Sequence, residues 1–120
     1  MNAYNNIKEE LGDIIIKIGD KFDLVMDVYS KDDNGVLTAY DLSLRTVRME
    51  VRKTKTGTVL LAMVSPTNIT ISGTDNNRIT FNKTITELSE GTNYYDIQVD
   101  EDDYTIRSGR MIAVRQITDD

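Results

Sequence analysis

The chain has 120 residues, 39% hydrophobic and 28% charged, with a net charge of −6 at neutral pH. That length suits one domain, which buries roughly two thirds of the surface its unfolded chain exposes. The acidic balance argues against nucleic acid and anionic membrane surfaces, and leaves proteins, neutral glycans and cations as partners.

Neither Cys nor His occurs. Disulfides, thiol chemistry, the commonest general base and the commonest transition-metal ligand are therefore absent from the chain's repertoire. No stretch approaches the roughly 18 apolar residues of a membrane-spanning helix.

The opening MNAYNNIKEEL is polar and has no apolar signal-peptide core, so classical secretion is not expected. Residues 1–12 read as an N-terminal arm. YNNIKEEL suits one or two helical turns, with Asn5 or Asn6 as cap and Glu9 and Glu10 in the first turn. DIIIKI, from Asp13 to Ile18, is apolar on both sides and suits a central or doubly covered strand. Phe22, Leu24, Met26 and Val28 then alternate with other residues at the period of a half-buried strand. Asp33-Asn34-Gly35 is a turn signal, after which Val47, Met49 and Val51 alternate with Arg48, Glu50 and Arg52. TVLLAMV, Thr58 to Val64, is a second two-sided apolar run. Lys83 to Gly91 suits a short helical turn, with Thr84 as cap and Glu87 three residues on. Tyr95, Ile97 and Val99 alternate again before Asp100–Asp103, and a last strand precedes the polar tail Thr118–Asp120. Eight or nine short strands separated by turns predict an all-β sandwich or barrel over 13–120.

The stretch YSKDDNGVLTAYDL, Tyr29 to Leu42, overlies a Ca²⁺-loop pattern, with Asp32, Asn34 and Asp41 as candidate ligands. Ser30 stands where the first carboxylate belongs, Asp41 is one methylene short of the usual Glu, and the flanks alternate like strands. A hairpin turn uses Asn34 and Gly35 without an ion and explains more. The Asp100–Asp103 cluster raises metal or acid–base chemistry, but a solvated hairpin tip accounts for it. Arg45, Arg48, Arg52 and Lys53 form a basic stripe that cross-strand ion pairs with the acidic excess would neutralise. Alternation sends Tyr94 and Tyr95 to opposite faces, one to the core and one outward as a possible anchor. The candidate interface residues are Tyr4 and Ile7 in the arm, Tyr94, Arg48 and Arg52. Asn68 and Asn82 begin N-x-Thr glycosylation patterns, which carry no weight without a signal peptide. No nucleophile, base and orienting group can be assembled, so catalysis is the weakest class of function.

Three blocks resemble the small immunoglobulin-like or baseplate-protein-like β-sandwich structural proteins of tailed bacteriophages. The first runs through Asp33, Gly35, Asp41-Leu42, Val47 and Val51-Arg52; the second is EGTNYYDIQV, Glu90 to Val99; the third is IRSGRMIAVRQIT, Ile106 to Thr118. Their order matches, and from the first to the last they span about two thirds of the chain. The resemblance departs at Ser43-Leu44, where the pattern carries Thr-Gly, and at Asp100–Asp103, and it does not reach the arm. It implies a single antiparallel β-sandwich, immunoglobulin-like or jelly-roll-like. It also implies a multi-copy adaptor or decoration subunit of a neck, tail, baseplate or fibre attachment, assembled in the host cytoplasm. Its partners would be other virion proteins and copies of itself, with no cofactor and no small-molecule substrate. The rival expectation is a carbohydrate-binding or adhesin module, with or without Ca²⁺ in the Asp32–Asp41 loop, which needs an exposed aromatic platform.

Overall fold

The computed structural model describes residues 13–115 and the backbone of Asn2–Asn5. The described residues are all-β, with no helix. Twelve strands occur in order: β1 (Asn2–Asn5), β2 (Ile14–Lys17), β3 (Lys21–Phe22), β4 (Val25–Lys31), β5 (Leu37–Ala39), β6 (Val47–Arg52), β7 (Val59–Val64), β8 (Ile69–Ser72), β9 (Arg78–Phe81), β10 (Lys83–Thr84), β11 (Gly91–Val99) and β12 (Tyr104–Val114). One five-stranded sheet has the order β2-β12-β11-β6-β7; a second is β1-β4-β9-β8 with β5 joined to β4; β3 and β10 form a separate pair.

Alternation decides which residues fill the interior. Val47, Met49 and Val51 on β6, and Tyr95, Ile97 and Val99 on β11, are buried while their neighbours are not. Met26 and Val28 on β4, Ile79 and Phe81 on β9, and Leu61 and Met63 on β7 join them, so both large sheets feed one hydrophobic cluster. Phe22 lies against Phe81 with ring centroids 5.4 Å apart in a tilted arrangement, fixing β3 to the second sheet's core side.

Val28 marks a change of partner along β4. Val25–Asp27 pair with β9, whereas Tyr29–Lys31 pair with β5. At the switch, Val28 donates to the Asn77 carbonyl (2.8 Å), and its own carbonyl accepts from Tyr40 N (3.0 Å) and from Asn77 Nδ2 (3.0 Å). The buried Asn77 side chain thus closes the gap between two ladders, as a polar group at such depth must.

Several expectations need correction. Among the described residues twelve strands stand where eight or nine were expected, the surplus being short pieces such as β3 and β10. The sheets are not wholly antiparallel: β2 runs parallel to β12, with Met111 opposite Ile14 and Val114 opposite Lys17. DIIIKI and TVLLAMV are not central strands but sheet edges, leaving Ile15 71% and Leu60 41% exposed. No helical turn forms at 83–91. Lys83 and Thr84 pair with β3, and Ile85 exchanges backbone hydrogen bonds with Gly19 and Asp20, so tertiary pairing overrides the local signal. Of the arm, Asn2–Asn5 form β1 against β4, so Asn5 is a strand residue rather than a cap. The remaining helical expectation, including Asn6, Glu9 and Glu10, lies outside the described residues.

Phe81→Ala should cost about 3–5 kcal/mol in urea unfolding, the usual range for emptying a packed aromatic site. Ile15→Ala should cost much less, because Ile15 is mostly in solvent. Equal effects of the two would refute the assignment of β9 to the interior.

Candidate functional site

The richest constellation of polar groups lies where the β11–β12 tip meets the connection between β5 and β6. Val99 is opposite Val47, and Asp100 N donates to the Thr46 carbonyl at 2.9 Å, so the tip begins where β6 begins. Three of its acids then find separate partners. Asp100 pairs with Arg48 at 3.0 Å. Glu101 accepts from Thr46 N at 2.6 Å and from Thr46 Oγ1 at 2.8 Å. Asp102 Oδ2 accepts from Tyr40 Oη at 2.5 Å and Arg45 Nε at 3.0 Å, and the Tyr40 ring leans on Tyr104 with centroids 5.6 Å apart.

These contacts set the titration behaviour. The Tyr40 hydroxyl and then Arg45 hold the Asp102 carboxyl below its ordinary range, and hydrogen bonds from Thr46 do the same for Glu101. Tyr40 is pushed far up, first by burial and then by its bond to Asp102. The cluster is therefore a clasp of charge-assisted hydrogen bonds between two loops. Among the described residues, no three acids are grouped so as to hold a metal ion.

The Tyr29–Leu42 stretch is likewise used internally. Asp32 Oδ1 accepts from Asn34 N (2.8 Å) and Val36 N (2.9 Å), and Gly35 N donates to the Asp32 carbonyl (3.0 Å) with Gly35 at φ 82°. This is an Asx turn closing the β4–β5 hairpin. Asn34 enters these bonds through its backbone. Asp41 Oδ1 accepts from Ser43 N at 2.9 Å, and hydrogen bonds from the Ser43 side chain and then its backbone hold the Asp41 carboxyl low. The two acids proposed as Ca²⁺ ligands thus each serve a different turn.

The next turn carries a side chain that sequence reasoning passed over. Arg45 N donates to the Leu42 carbonyl at 3.0 Å, and Leu44, third in that turn, has φ 65° and is 93% exposed. Left-handed backbone costs a non-glycine residue about 1–2 kcal/mol, and the third place of such a turn ordinarily takes glycine. Leu42, by contrast, is fully buried.

On the outer face of the five-stranded sheet, Tyr94 lies between Arg52 and Arg110 in register, while Tyr95 is buried on the opposite side. Lys55 Nζ stands 5.6 Å from the Tyr94 ring centroid. Arg52 pairs with Glu50 at 2.8 Å and more loosely with Asp96 at 3.7 Å; Arg110 pairs with Asp13. Arg52, Lys55, Tyr94, Asp96 and Arg110, with Ser108 and Gly109, border an open hollow of about 450 Å³. Burial pushes the Asp96 carboxyl up, partly countered by Arg52, and its Oδ1 is buried without a hydrogen-bond partner.

Of the candidate interface residues, the structure brings Tyr94 and Arg52 together at the hollow and ties Arg48 to the acidic tip. Tyr4 lies in β1 opposite Tyr29, and Ile7 lies outside the described residues. Tyr40, Leu44, Asp96 and Arg110 were missed. Leu44 had a signal, since it replaces glycine in the resembled pattern. No family model matches the chain, and no curated protein matches it in sequence.

Two outcomes follow from this geometry. A carboxylate whose folded pKa lies below its unfolded value stabilises the fold above the unfolded pKa, and the contribution disappears as pH falls through the folded one. For Asp102 and Glu101, whose ordinary values are 3.8 and 4.5, that window lies at and below these values. Thermal melts across the acid range should show a shallower loss of Tm in Asp102→Asn than in the parent chain; identical slopes would remove Asp102 from the clasp. Asp32→Ala should lower Tm by the same amount in millimolar Ca²⁺ and in chelator, since it opens an Asx turn. A loss confined to Ca²⁺ would revive the ion site.

Proposed function

We propose that the two five-stranded sheets stack as an immunoglobulin-like sandwich, and that the chain is a non-enzymatic structural subunit of a tailed-phage virion. The single observation carrying the fold half is strand order. β1-β4-β9-β8 runs as A-B-E-D, and β12-β11-β6-β7 runs as G-F-C-C′, in the two sheets of that architecture. A shared hydrophobic cluster drawn from both sheets supports the stacking.

Such a fold hosts many functions, so the functional half rests on other ground. The three resembled blocks map onto the β4–β6 segment, β11 and β12, in the order that the phage proteins carry them. The polar groups at the acidic tip are spent on holding loops together, and what is offered outward is surface: two apolar sheet edges, the Leu44 turn and the Tyr94 hollow. An adaptor or decoration subunit, present in several copies and assembled in the host cytoplasm with other virion proteins, uses features of this kind.

One observation favours a second reading, a glycan-binding module. Tyr94 supplies an aromatic face, flanked by Arg52, Asp96 and Ser108 as polar groups for hydroxyls.

Mass spectrometry of purified phage particles from the source culture tests the first reading. The chain's peptides should appear in particles at a fixed multiple of the single-copy tail proteins, and the recombinant protein should be silent on a glycan array. Peptides confined to the cell extract, or a glycan signal lost in Tyr94→Ala, would overturn it.

A further inference from the structure

The Leu44 turn offers an apolar post among acidic groups, and the Tyr94 hollow an aromatic ring among cations. Among the described large apolar side chains left in solvent, Leu44 is the most exposed, at 93%. It stands on a rigid base. Leu42 before it is fully buried, Asp41 accepts from Ser43, and Arg45 and Thr46 after it are fastened to Asp102 and Glu101. A side chain held on so fixed a backbone loses little freedom on docking, and local strain without internal gain points to use outside the chain. Its surroundings are acidic. Leu42 N bonds the Asn76 carbonyl and the acidic tip closes the other side, which brings Asp75 and Asp103 to this end. Neither of them makes an ion pair among the described residues.

The hollow lacks that acidic excess. Its lining includes Tyr94 and carries three cations, Arg52, Lys55 and Arg110, against Asp96, with Glu50 and Asp13 paired to the two arginines from outside it. Arg52 and Arg110 are held by carboxylates, but Lys55 makes no ion pair among the described residues and rests over the ring, where a flexible side chain can swing aside. Tyr94 lies five residues down β11 from Val99, about 17 Å from the tip end, so one molecule's post and hollow are separate patches.

We propose that Leu44 of one copy docks into the Tyr94 hollow of the next. The inference deepens the proposed function, resting on its reading of a subunit that works in several copies. Two different patches meeting head to tail form a heterologous contact, which closes into a ring or continues as a stack. An isologous contact between two Leu44 ends would instead set acid against acid.

Sedimentation velocity of the recombinant chain, carried to millimolar protein at low salt, tests this. The parent chain should self-associate, more weakly as salt rises. Leu44→Gly, which suits the left-handed backbone and should keep or raise Tm, should weaken association about tenfold or more, as truncation of an anchor does. Tyr94→Ala should do the same, and Lys55→Glu, in an exposed turn, guards against a folding defect in Tyr94→Ala. The decisive arm is mixing. Leu44→Gly keeps its hollow and Tyr94→Ala keeps its post, so an equimolar mixture should form dimers and stop there. A parent chain monomeric throughout, a Leu44→Gly variant that associates like the parent, or a mixture that stays monomeric would each overturn the proposal. Peptides found in particles alongside such a result would leave the virion reading standing and sink only this contact; their absence would sink that reading by itself.

Discussion

The pairing of β11 on both of its edges is the constraint from which most of the molecule follows. β12 covers one edge and β6 the other, so every second residue must turn the same way. Tyr95, Ile97 and Val99 therefore go inward, and Tyr94, Asp96 and Gln98 outward. The inward set anchors the hydrophobic cluster. The outward set creates the ladder of Tyr94, Arg52 and Arg110 on the sheet's face. Because β11 ends beside the start of β6, its acidic tip must also meet Arg45, Thr46 and Arg48. A slip of one residue would exchange the two faces, burying Asp96 and exposing Ile97.

Alternation was legible in the sequence because it is local. Val47–Val51 and Tyr95–Val99 declare their buried faces without knowledge of their partners, and both are buried as read. Asp33-Asn34-Gly35 declares a turn for the same reason. What alternation cannot express is which strand lies beside which. The basic stripe and the acidic tip were both visible, yet their meeting depends on the β6–β11 register, a contact between residues more than fifty positions apart. Charge alone suggested neutralisation; geometry names the pairs.

The misreadings have a common cause. DIIIKI and TVLLAMV suit central or doubly covered strands because both of their sides are apolar, yet both are edges. A strand with two apolar faces announces that something covers it, and does not say that the cover belongs to the same chain. Thr84 and Glu87, three apart, mimic the capping pair of a helix. Their segment is extended because Lys83–Thr84 pair with Lys21–Phe22 and Ile85 bonds across to Gly19 and Asp20. Local spacing lost to a backbone that had unpaired partners nearby.

Leu44 separates two kinds of sequence departure. The acidic tip, also foreign to the resembled pattern, is absorbed by the fold, since its carboxylates are met by Arg45, Thr46, Arg48 and Tyr40. The leucine is not absorbed. Its backbone carries a conformation suited to glycine, and its side chain meets solvent. Polar substitutions in loops are readily matched by neighbours of opposite charge, whereas an apolar side chain on a strained turn has no compensation inside the molecule. The proposed docking of Leu44 into the Tyr94 hollow of a second copy would supply that compensation.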